Sequence, residues 1–345
     1  MKFSIKNLFV LSISVLFFLT CTFFLSSCGP TEPIEDGTTT GSTTSVVEKP
    51  RVVPPDFNSD SAYSYVKVQA DLGPRVPGSK AHTNCVNWMS DKLKSYGAEV
   101  VVQNGVVTTF DQKKWSAKNV IASFNTENKS RVLLCAHFDS RPFCDHDSLP
   151  ANKSKACPGV NDGASGVGVL MEIARNIKAK NPKVGIDIVM FDLEDYGQPE
   201  GSSFPPMNDS WCLGSQYWSK NPHKPGYFAN FGILLDMVGG KGATFYKEGN
   251  SIFFAASTVE KVWNTAANIG YSNYFIQEPY GEFTDDHLYV NKLTNIPTVD
   301  IISYDKEDSG FFKYHHKAGD TMDNIDRSTL KAVGQTVMEV IYNVE

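Results

Sequence analysis

Two adjacent acids, Glu194 and Asp195, follow a short apolar run at residues 184–191. Such a run predicts a buried parallel strand, and the carboxyl end of such a strand faces the ligand crevice of an open α/β sheet. Two neighbouring carboxylates in a crevice repel each other unless a cation lies between them or one of them keeps its proton. The pair is therefore either a metal ligand beside a general base or two solvated loop acids.

Other acids and histidines follow further apolar runs in the same way. They are His137, Asp139, Asp162, Asp236, Asp285, Asp286, His315 and His316. Taken singly, an acid before a glycine, such as Asp162, is commonly a turn residue. Because the whole set falls at one edge of the predicted sheet, we expect its members to converge. Carboxylates together with imidazoles favour a zinc site with one open position.

The elements that would position these residues alternate along the chain. Apolar periodicity predicts helices over residues 59–72, 80–96, 167–177, 211–218, 257–269 and 327–342. Apolar or alternating runs predict strands over residues 99–110, 117–124, 131–137, 184–191, 231–238 and 296–302. The pattern predicts an α/β three-layer sandwich: a mixed, centrally parallel sheet, antiparallel at one edge and flanked by helices.

The first 27 residues predict a lipoprotein signal peptide, because a basic start and a long apolar run lead into Leu25-Ser26-Ser27-Cys28. This tetrad resembles a bacterial lipobox, after which a lipidated Cys28 would anchor the protein to a membrane of the cell envelope, facing the periplasm or the cell exterior. An uncleaved transmembrane anchor is the alternative. Residues 28–55, rich in Thr, Ser, Pro and Gly, predict a disordered linker, and residues 56–345 a zinc-dependent catalytic domain.

Composition narrows the choice of partners. The 345 residues carry a net charge of −6 and contain no tract of Lys or Arg, which argues against a nucleic-acid partner. Cys144 and Cys157 flank a single loop, a position from which they would pair in an oxidising compartment. The absence of a CxxC pattern disfavours a cysteine-based zinc site.

Five motifs, read in order, resemble those of the zinc aminopeptidase superfamily. They are HFDS (137–140), NDGASG (161–166), EDYG (194–197), LLDM (234–237) and HKAGDT (316–321). Within that superfamily the chain is most similar to the glutaminyl cyclases, specifically bacterial enzymes resembling the animal type. Three features favour this branch: GPR at 73–75 together with LLDMVG at 234–239, an insertion before residues 210–215, and Asp285 in place of a serine.

The resemblance implies a role for each matching residue. Asp162, Asp195 and His316 match the ligands of a single zinc ion, and Glu194 matches the acid/base that transfers protons. Asp236 and Asp285 match the two aspartates of the active-site hydrogen-bond network. The implied substrates are peptides or proteins with N-terminal Gln, which cyclises to pyroglutamate with loss of ammonia, and Trp211 is a candidate for an aromatic wall beside it.

Two positions depart from the family pattern. Asp195 stands where animal cyclases and most aminopeptidases have Glu, so either the backbone approaches the metal more closely or the ligand binds in a different pose. Asp300 aligns with a histidine that supports one catalytic aspartate in animal cyclases; either Asp300 is protonated and donates a hydrogen bond, or another group takes over.

The rival interpretation is a two-zinc aminopeptidase. His137 and Asp236 match the ligands of its second metal, with Asp162 as the bridge. A catalytically inactive binding lipoprotein is disfavoured, because no ligand or base of the pattern is missing. Oligomeric state is not predicted from the sequence.

Overall fold

The computed structural model describes residues 51–306 and 310–344. Its main helices are α1 (Ser59–Leu72), α2 (Lys80–Ser95), α3 (Ala164–Ala179), α4 (Leu213–Lys220), α5 (Gly249–Asn268), α6 (Asp286–Thr294) and α7 (Arg327–Tyr342). Single 3-10 turns lie at Pro150–Asn152 and Met322–Asn324. Within the described ranges, no helix combines the length and apolar character needed to cross a bilayer.

Six strands form the main sheet. They are β1 (Glu99–Thr108), β2 (Lys114–Phe124), β3 (Arg131–His137), β4 (Gly185–Phe191), β5 (Phe231–Asp236) and β8 (Thr298–Ile302), in the spatial order β1-β2-β4-β3-β5-β8. The β1–β2 and β2–β4 pairs are antiparallel, whereas β4, β3, β5 and β8 run parallel. The predicted mixed sheet with a parallel centre and an antiparallel edge is confirmed.

Two small sheets complete the strands. β6 (Phe245–Lys247) pairs with β7 (Phe275–Pro279), and β9 (Tyr304–Asp305) pairs with β10 (Gly310–Phe311). Neither was expected from the sequence, because runs this short carry no readable alternation.

Alternate residues of the central strands point into two separate cores, as the two-residue period of a strand requires. Leu134 of β3 lies in the larger core, which also contains side chains of α1, α2, α3, α5 and α7. Leu133 lies in the smaller core with Trp218 of α4 and Val290 of α6. Helices on both faces of the sheet give the three predicted layers.

The N-terminal end of the described chain runs along α7. The backbone N–H of Val52 donates to Asn343 Oδ1 at 2.8 Å, and Asn343 Nδ2 returns a hydrogen bond to the Val52 carbonyl at 3.0 Å. The predicted signal peptide and residues 28–50 of the predicted linker lie outside the described residues.

Candidate metal and catalytic centre

The predicted site residues meet at the carboxyl edge of the parallel strands. His137 and Asp236 end β3 and β5, and Glu194 and Asp195 follow β4. The others come from the segments beside this edge: Asp162 precedes α3, Asp285 caps α6, and His316 lies in the loop before α7. All seven are buried.

Asp162, Asp195 and His316 form one cluster whose ligand atoms lie within 4.8 Å of one another. The His316 Nε2 atom is 2.9 Å from Asp195 Oδ1 and 3.8 Å from Asp162 Oδ2. All three are buried, and Asp162 and His316 line a pocket. Two carboxylates and one imidazole are a donor set that suits a catalytic zinc ion.

The charges in this cluster favour the binding of a cation. Burial and the neighbouring Asp162 carboxylate raise the pKa of Asp195 well above its usual value. Within the described part of the chain, Asp195 Oδ1 receives no well-aligned hydrogen bond. Burial and the Arg141 charge lower the pKa of His316 to about 3, so the imidazole is neutral and its nitrogen is free to bind a metal. The residues therefore fit zinc.

Two buried side chains, Asp320 and Arg75, fix the backbone around Asp162. The Asp320 carboxylate accepts hydrogen bonds from the backbone N–H groups of Asn161 (2.8 Å) and Asp162 (3.2 Å). Arg75, fully buried, donates to the carbonyls of Phe138, Pro158 and Gly159. Arg75 of the GPR motif and Asp320 of the HKAGDT motif thus fix the loop that carries Asp162.

Asp139 anchors the other acidic segment. Its two carboxylate oxygens accept the backbone N–H groups of Glu194 and Asp195, each at 3.1 Å. The Asp139 carboxylate, in the loop after β3, therefore fixes the backbone of Glu194 and of Asp195 at the same time.

Arg141 is a component that the sequence analysis missed. It forms a two-point ion pair with Asp145 (2.6 and 2.7 Å) and donates to the Asp195 carbonyl at 2.9 Å. Its guanidinium lies 4.6 Å from the Trp211 ring centre, and Trp211 stacks on His316 with an interplanar angle of 6°. Arg141 and Trp211 thus connect the backbone of Asp195 with the ring of His316. An arginine in a loop gave no sequence signal for this role.

The Arg141 loop is closed by a disulfide between Cys144 and Cys157, as the sequence position favoured. Cys85, Cys135 and Cys212, the other cysteines of the described chain, are free and buried.

Glu194 sits beside the ligand cluster, where its environment suits proton transfer. Burial raises the pKa of Glu194 well above the ordinary value, against the opposing charge of His137. The Cys212 thiol donates to Glu194 Oε1 at 3.3 Å, and His137 Nδ1 lies 3.8 Å from Oε2. A carboxyl group whose pKa is moved toward neutrality can both accept and return a proton.

His137, Asp162 and Asp236 form a second close group. The His137 Nε2 atom is 3.2 Å from both Asp162 Oδ1 and Asp236 Oδ1. Burial alone would lower the pKa of His137, but hydrogen bonds to Asp139, Asp162 and Asp236 raise it well above normal. An imidazolium at this point supplies positive charge to two carboxylates.

The polar groups face a pocket with an apolar wall. Glu194, Asp236 and Asp285 line it together with Asp162 and His316 of the first cluster. The facing side chains are apolar or aromatic: Trp211, Phe283, Ile302 and Phe311. Trp211 thus lies where the sequence analysis expected an aromatic wall.

The model of Peptidase family M28 matches residues 119–341. This chain belongs to peptidase family M28. The resemblance inferred from the five motifs is confirmed. Among solved M28-like structures, the glutaminyl cyclase of Bacteroides thetaiotaomicron bound to N-acetylhistamine is 49% identical, with a TM-score of 0.83. It matches over 85% of this chain and 100% of its own.

A Zn-dependent exopeptidase from Parabacteroides distasonis is 54% identical over 85% of this chain and 100% of its own, also with a TM-score of 0.83. The glutaminyl-peptide cyclotransferase of Bos taurus is 24% identical, over 76% of this chain and 77% of its own length. The first curated relative, the uncharacterized Escherichia coli protein YfbL, is 27% identical over 152 residues; this chain spans 42% of its length.

Proposed function

We propose that this M28 protein is a zinc-dependent glutaminyl-peptide cyclotransferase that converts N-terminal Gln of peptides or proteins to pyroglutamate. One observation carries the proposal: a chain 49% identical to a bacterial glutaminyl cyclase over that enzyme's whole length brings Glu194, Asp236 and Asp285 together beside one N,O,O ligand cluster. The catalytic roles of these three residues, and of Asp162, Asp195 and His316 as ligands, are part of the proposal.

In this reaction the substrate's α-amine nitrogen forms a bond to its own side-chain amide carbon, and the bond from that carbon to the amide nitrogen breaks. Zinc, when bound, polarises the amide carbonyl as a Lewis acid. Glu194 takes the proton released by the amine and gives it to the departing nitrogen, which leaves as ammonia.

Asp236 and Asp285 hold the reacting nitrogens from the polar side of the pocket. Their carboxyl groups accept hydrogen bonds from the amine and the amide, while Trp211 and Phe311 confine the aliphatic stem of the Gln side chain. Because attack is intramolecular, fixing the curled side chain supplies much of the rate through orientation.

We propose one zinc ion per chain. A second ion would have to occupy the space between Asp162 and Asp236, where His137 already bridges the two carboxylates at 3.2 Å each. The same three residues form a metal-compatible group, which is the observation that keeps the two-zinc aminopeptidase as the second candidate.

A peptide assay separates the two. Incubation with a Gln-initiated peptide should release ammonia and leave the rest of the chain intact, as measured by mass spectrometry and an ammonia assay. A matched Ala-initiated peptide should remain unchanged. Release of free Gln or Ala would establish the aminopeptidase instead, and two zinc ions per chain by elemental analysis would contradict the single-site proposal.

We further propose that the protein is exported and held at a membrane of a bacterial envelope through lipidated Cys28, facing the periplasm or the cell exterior. The lipobox-like tetrad before Cys28 supports this proposal. Mass spectrometry of the mature N-terminus tests it: an unmodified Met1 or an uncleaved leader would contradict it.

A further inference from the structure

A buried thiol contacts the proposed base. Cys212, the residue immediately before α4, is fully buried, and its Sγ atom lies 3.3 Å from Glu194 Oε1. Of the three free cysteines in the described chain, it is the one whose thiol donates a hydrogen bond to an acid that lines the pocket. The proposed reaction gives this thiol no role.

The backbone that carries Cys212 is bound directly to the backbone of Glu194. The Cys212 N–H donates to the Glu194 carbonyl at 3.0 Å, and the next N–H, that of Leu213, donates to the Leu193 carbonyl at 2.9 Å. The Cys212 backbone is in the left-handed region, with φ at 58°, which is uncommon for a residue other than glycine. The two backbone hydrogen bonds hold it in that conformation.

The start of α4 also packs closely against the end of β4. A Cβ atom at Gly214 would lie only 2.0 Å from the Asp192 carbonyl oxygen, so this approach requires glycine. Asn119 of β2 connects the two segments, because its side chain donates to the Gly214 carbonyl at 2.9 Å and accepts the Asp192 N–H at 3.0 Å. The Cys212 thiol is therefore attached to a backbone that is fixed relative to Glu194.

Cys212 is present as a thiol and not as a thiolate. Burial and the charge of Glu194 raise the pKa of Cys212 well above its usual value. The S–H group is therefore available as a hydrogen-bond donor, and Glu194 Oε1 is its acceptor.

The two carboxyl oxygens of Glu194 have different surroundings. Oε1 receives the thiol hydrogen bond, whereas Oε2 lies 3.8 Å from His137 Nδ1 and receives no hydrogen bond from the described residues. The terminal torsion of a Glu side chain has broad preferences, so a carboxyl group without a fixed partner changes its orientation easily. The thiol supplies that fixed partner to one oxygen and leaves the lone pairs of the other oxygen to the substrate.

We propose that Cys212 is a positioning residue: its thiol holds Glu194 Oε1, so that Oε2 is oriented to take the proton from the substrate amine and to return it to the departing nitrogen. The catalytic consequence rests on the proposed cyclase function. A general base must lie within about 2.6–3.2 Å of the atom whose proton it takes. A carboxyl group that rotates spends less time in that geometry, and the rate falls accordingly.

The S–H stretching vibration tests the hydrogen bond directly and needs no turnover. This vibration absorbs in a part of the infrared spectrum that other protein groups leave clear, and hydrogen bonding lowers its frequency. We expect Cys212→Ala to remove the S–H component of lowest frequency. The control Cys135→Ala, which removes a buried thiol of β3, should leave that component in place.

Glu194→Gln tests the assignment of the acceptor while it retains the thiol. A neutral amide is a weaker acceptor than a carboxylate. The S–H component that is lost in Cys212→Ala should therefore move to higher frequency in Glu194→Gln.

Steady-state kinetics tests the effect on catalysis. We expect Cys212→Ala to lower kcat by roughly 3- to 10-fold, the effect of losing one hydrogen bond of ordinary strength, with KM changed by less than about twofold. Cys212→Ser retains a donor at the same position, so its kcat should stay within about twofold of the wild-type value. Cys135→Ala should leave both constants unchanged.

A low-frequency S–H component that is unchanged in Glu194→Gln would overturn the proposal. A wild-type kcat in Cys212→Ala would do the same, as would a serine variant that is as slow as the alanine variant. If Cys212→Ala does not fold, the spectra of the wild type and of Glu194→Gln still decide whether the hydrogen bond exists. If the wild-type protein forms no pyroglutamate, the proposed function fails, whereas the position of the S–H band is unaffected by that result.

Discussion

The same two strands, β3 and β4, carry a buried charged cluster at each end. At their amino ends, Arg131 meets Asp187 through two contacts of 2.5 and 2.8 Å. Ser123 and Tyr227 donate to the remaining lone pairs of the carboxylate at 2.6 and 3.0 Å. The guanidinium donates its other N–H groups to backbone carbonyls, including those of Phe124 and Asn125. Both charged groups of this cluster are therefore neutralised and hydrogen-bonded by other groups of the protein.

At the carboxyl ends of the same strands, buried acids outnumber the cationic side chains. Asp162, Glu194, Asp195 and Asp236 converge there, and among the described residues only His137 and Arg141 lie close enough to supply positive charge to them. The pKa values of Glu194 and Asp195 rise well above normal and that of Asp236 rises to about 7, chiefly because of burial.

The contrast separates structural charge from functional charge. A buried ion pair whose lone pairs are all satisfied has nothing left to offer a ligand, and its purpose is to hold strands in place. Where buried acids outnumber the cationic side chains around them, the excess carboxylates are stabilised only by a bound metal ion or by protonation. Strongly perturbed pKa values cluster at functional sites for this reason.

Removal of the metal should have the largest effect, and it should act on the cluster at the carboxyl ends of the strands and not on the Arg131–Asp187 cluster. We expect a chelator to reduce turnover to background, because the carbonyl is no longer polarised and the acids repel one another. If free zinc is roughly 100 to 1,000 times Kd, its removal should lower the free energy of unfolding by about 3–4 kcal/mol. Zinc re-addition should restore both quantities, as measured by thermal unfolding and ammonia release. Full activity in a metal-free protein would contradict the comparison.

Substitution of the base should affect turnover without affecting the ligand set. Glu194→Gln preserves the size of the side chain but cannot accept a proton, so kcat should fall by roughly 10²- to 10⁴-fold. Zinc content by elemental analysis should remain that of the wild type. Full activity in this variant would show that another group transfers the proton.

Substitution at the opposite end should affect stability without affecting turnover. Asp187→Asn leaves the Arg131 charge buried without its counter-ion, which costs about 3–5 kcal/mol. Chemical denaturation should report this loss, while kcat per folded molecule and the zinc-dependent stabilisation stay unchanged. A variant with lowered kcat would mean that the two ends are coupled through the strands.

Asp187→Asn should also differ from the wild type in how the free energy of unfolding depends on pH in the acid range. Hydrogen bonds from Arg131 and Ser123 outweigh burial and lower the pKa of Asp187 below its usual value. The stabilising contribution is therefore complete above the unfolded pKa of about 3.9 and is lost as pH falls through the lower folded value. Asp187→Asn should lack this component of the acid transition.

The strand ends could be predicted from the sequence because each is marked by neighbouring residues alone, an apolar run followed by an acid or a histidine. Apolar runs that stop at His137, Asp236 and the Glu194–Asp195 pair could be recognised without knowing their neighbours, and α/β geometry then placed them together. The structure confirms the sheet and places Glu194 and Asp236 in the lining of one pocket. His137 and Asp195 are buried next to them.

The sequence did not predict what lies behind the pocket. Helix α6 was missed because residues 286–291 are buried all round, so it shows no amphipathic period. The start of α5 was placed too late, since a glycine begins it, a kink at Ala255 interrupts it, and Glu248 is not a favoured N-cap residue. Those two elements bring His287 and Glu248 to Asp300, so only the structure could supply the partners for that residue.

The three proposed zinc ligands come from widely separated parts of the chain. Asp162 and Asp195 lie in loops on either side of β4, and His316 lies just before the final helix. A chain that has not yet been synthesised as far as His316 lacks the imidazole of this set, and its two carboxylates alone bind zinc more weakly. With the proposed ligand set, zinc is bound fully only after the segment before α7 has docked against the loops that carry Asp162 and Asp195.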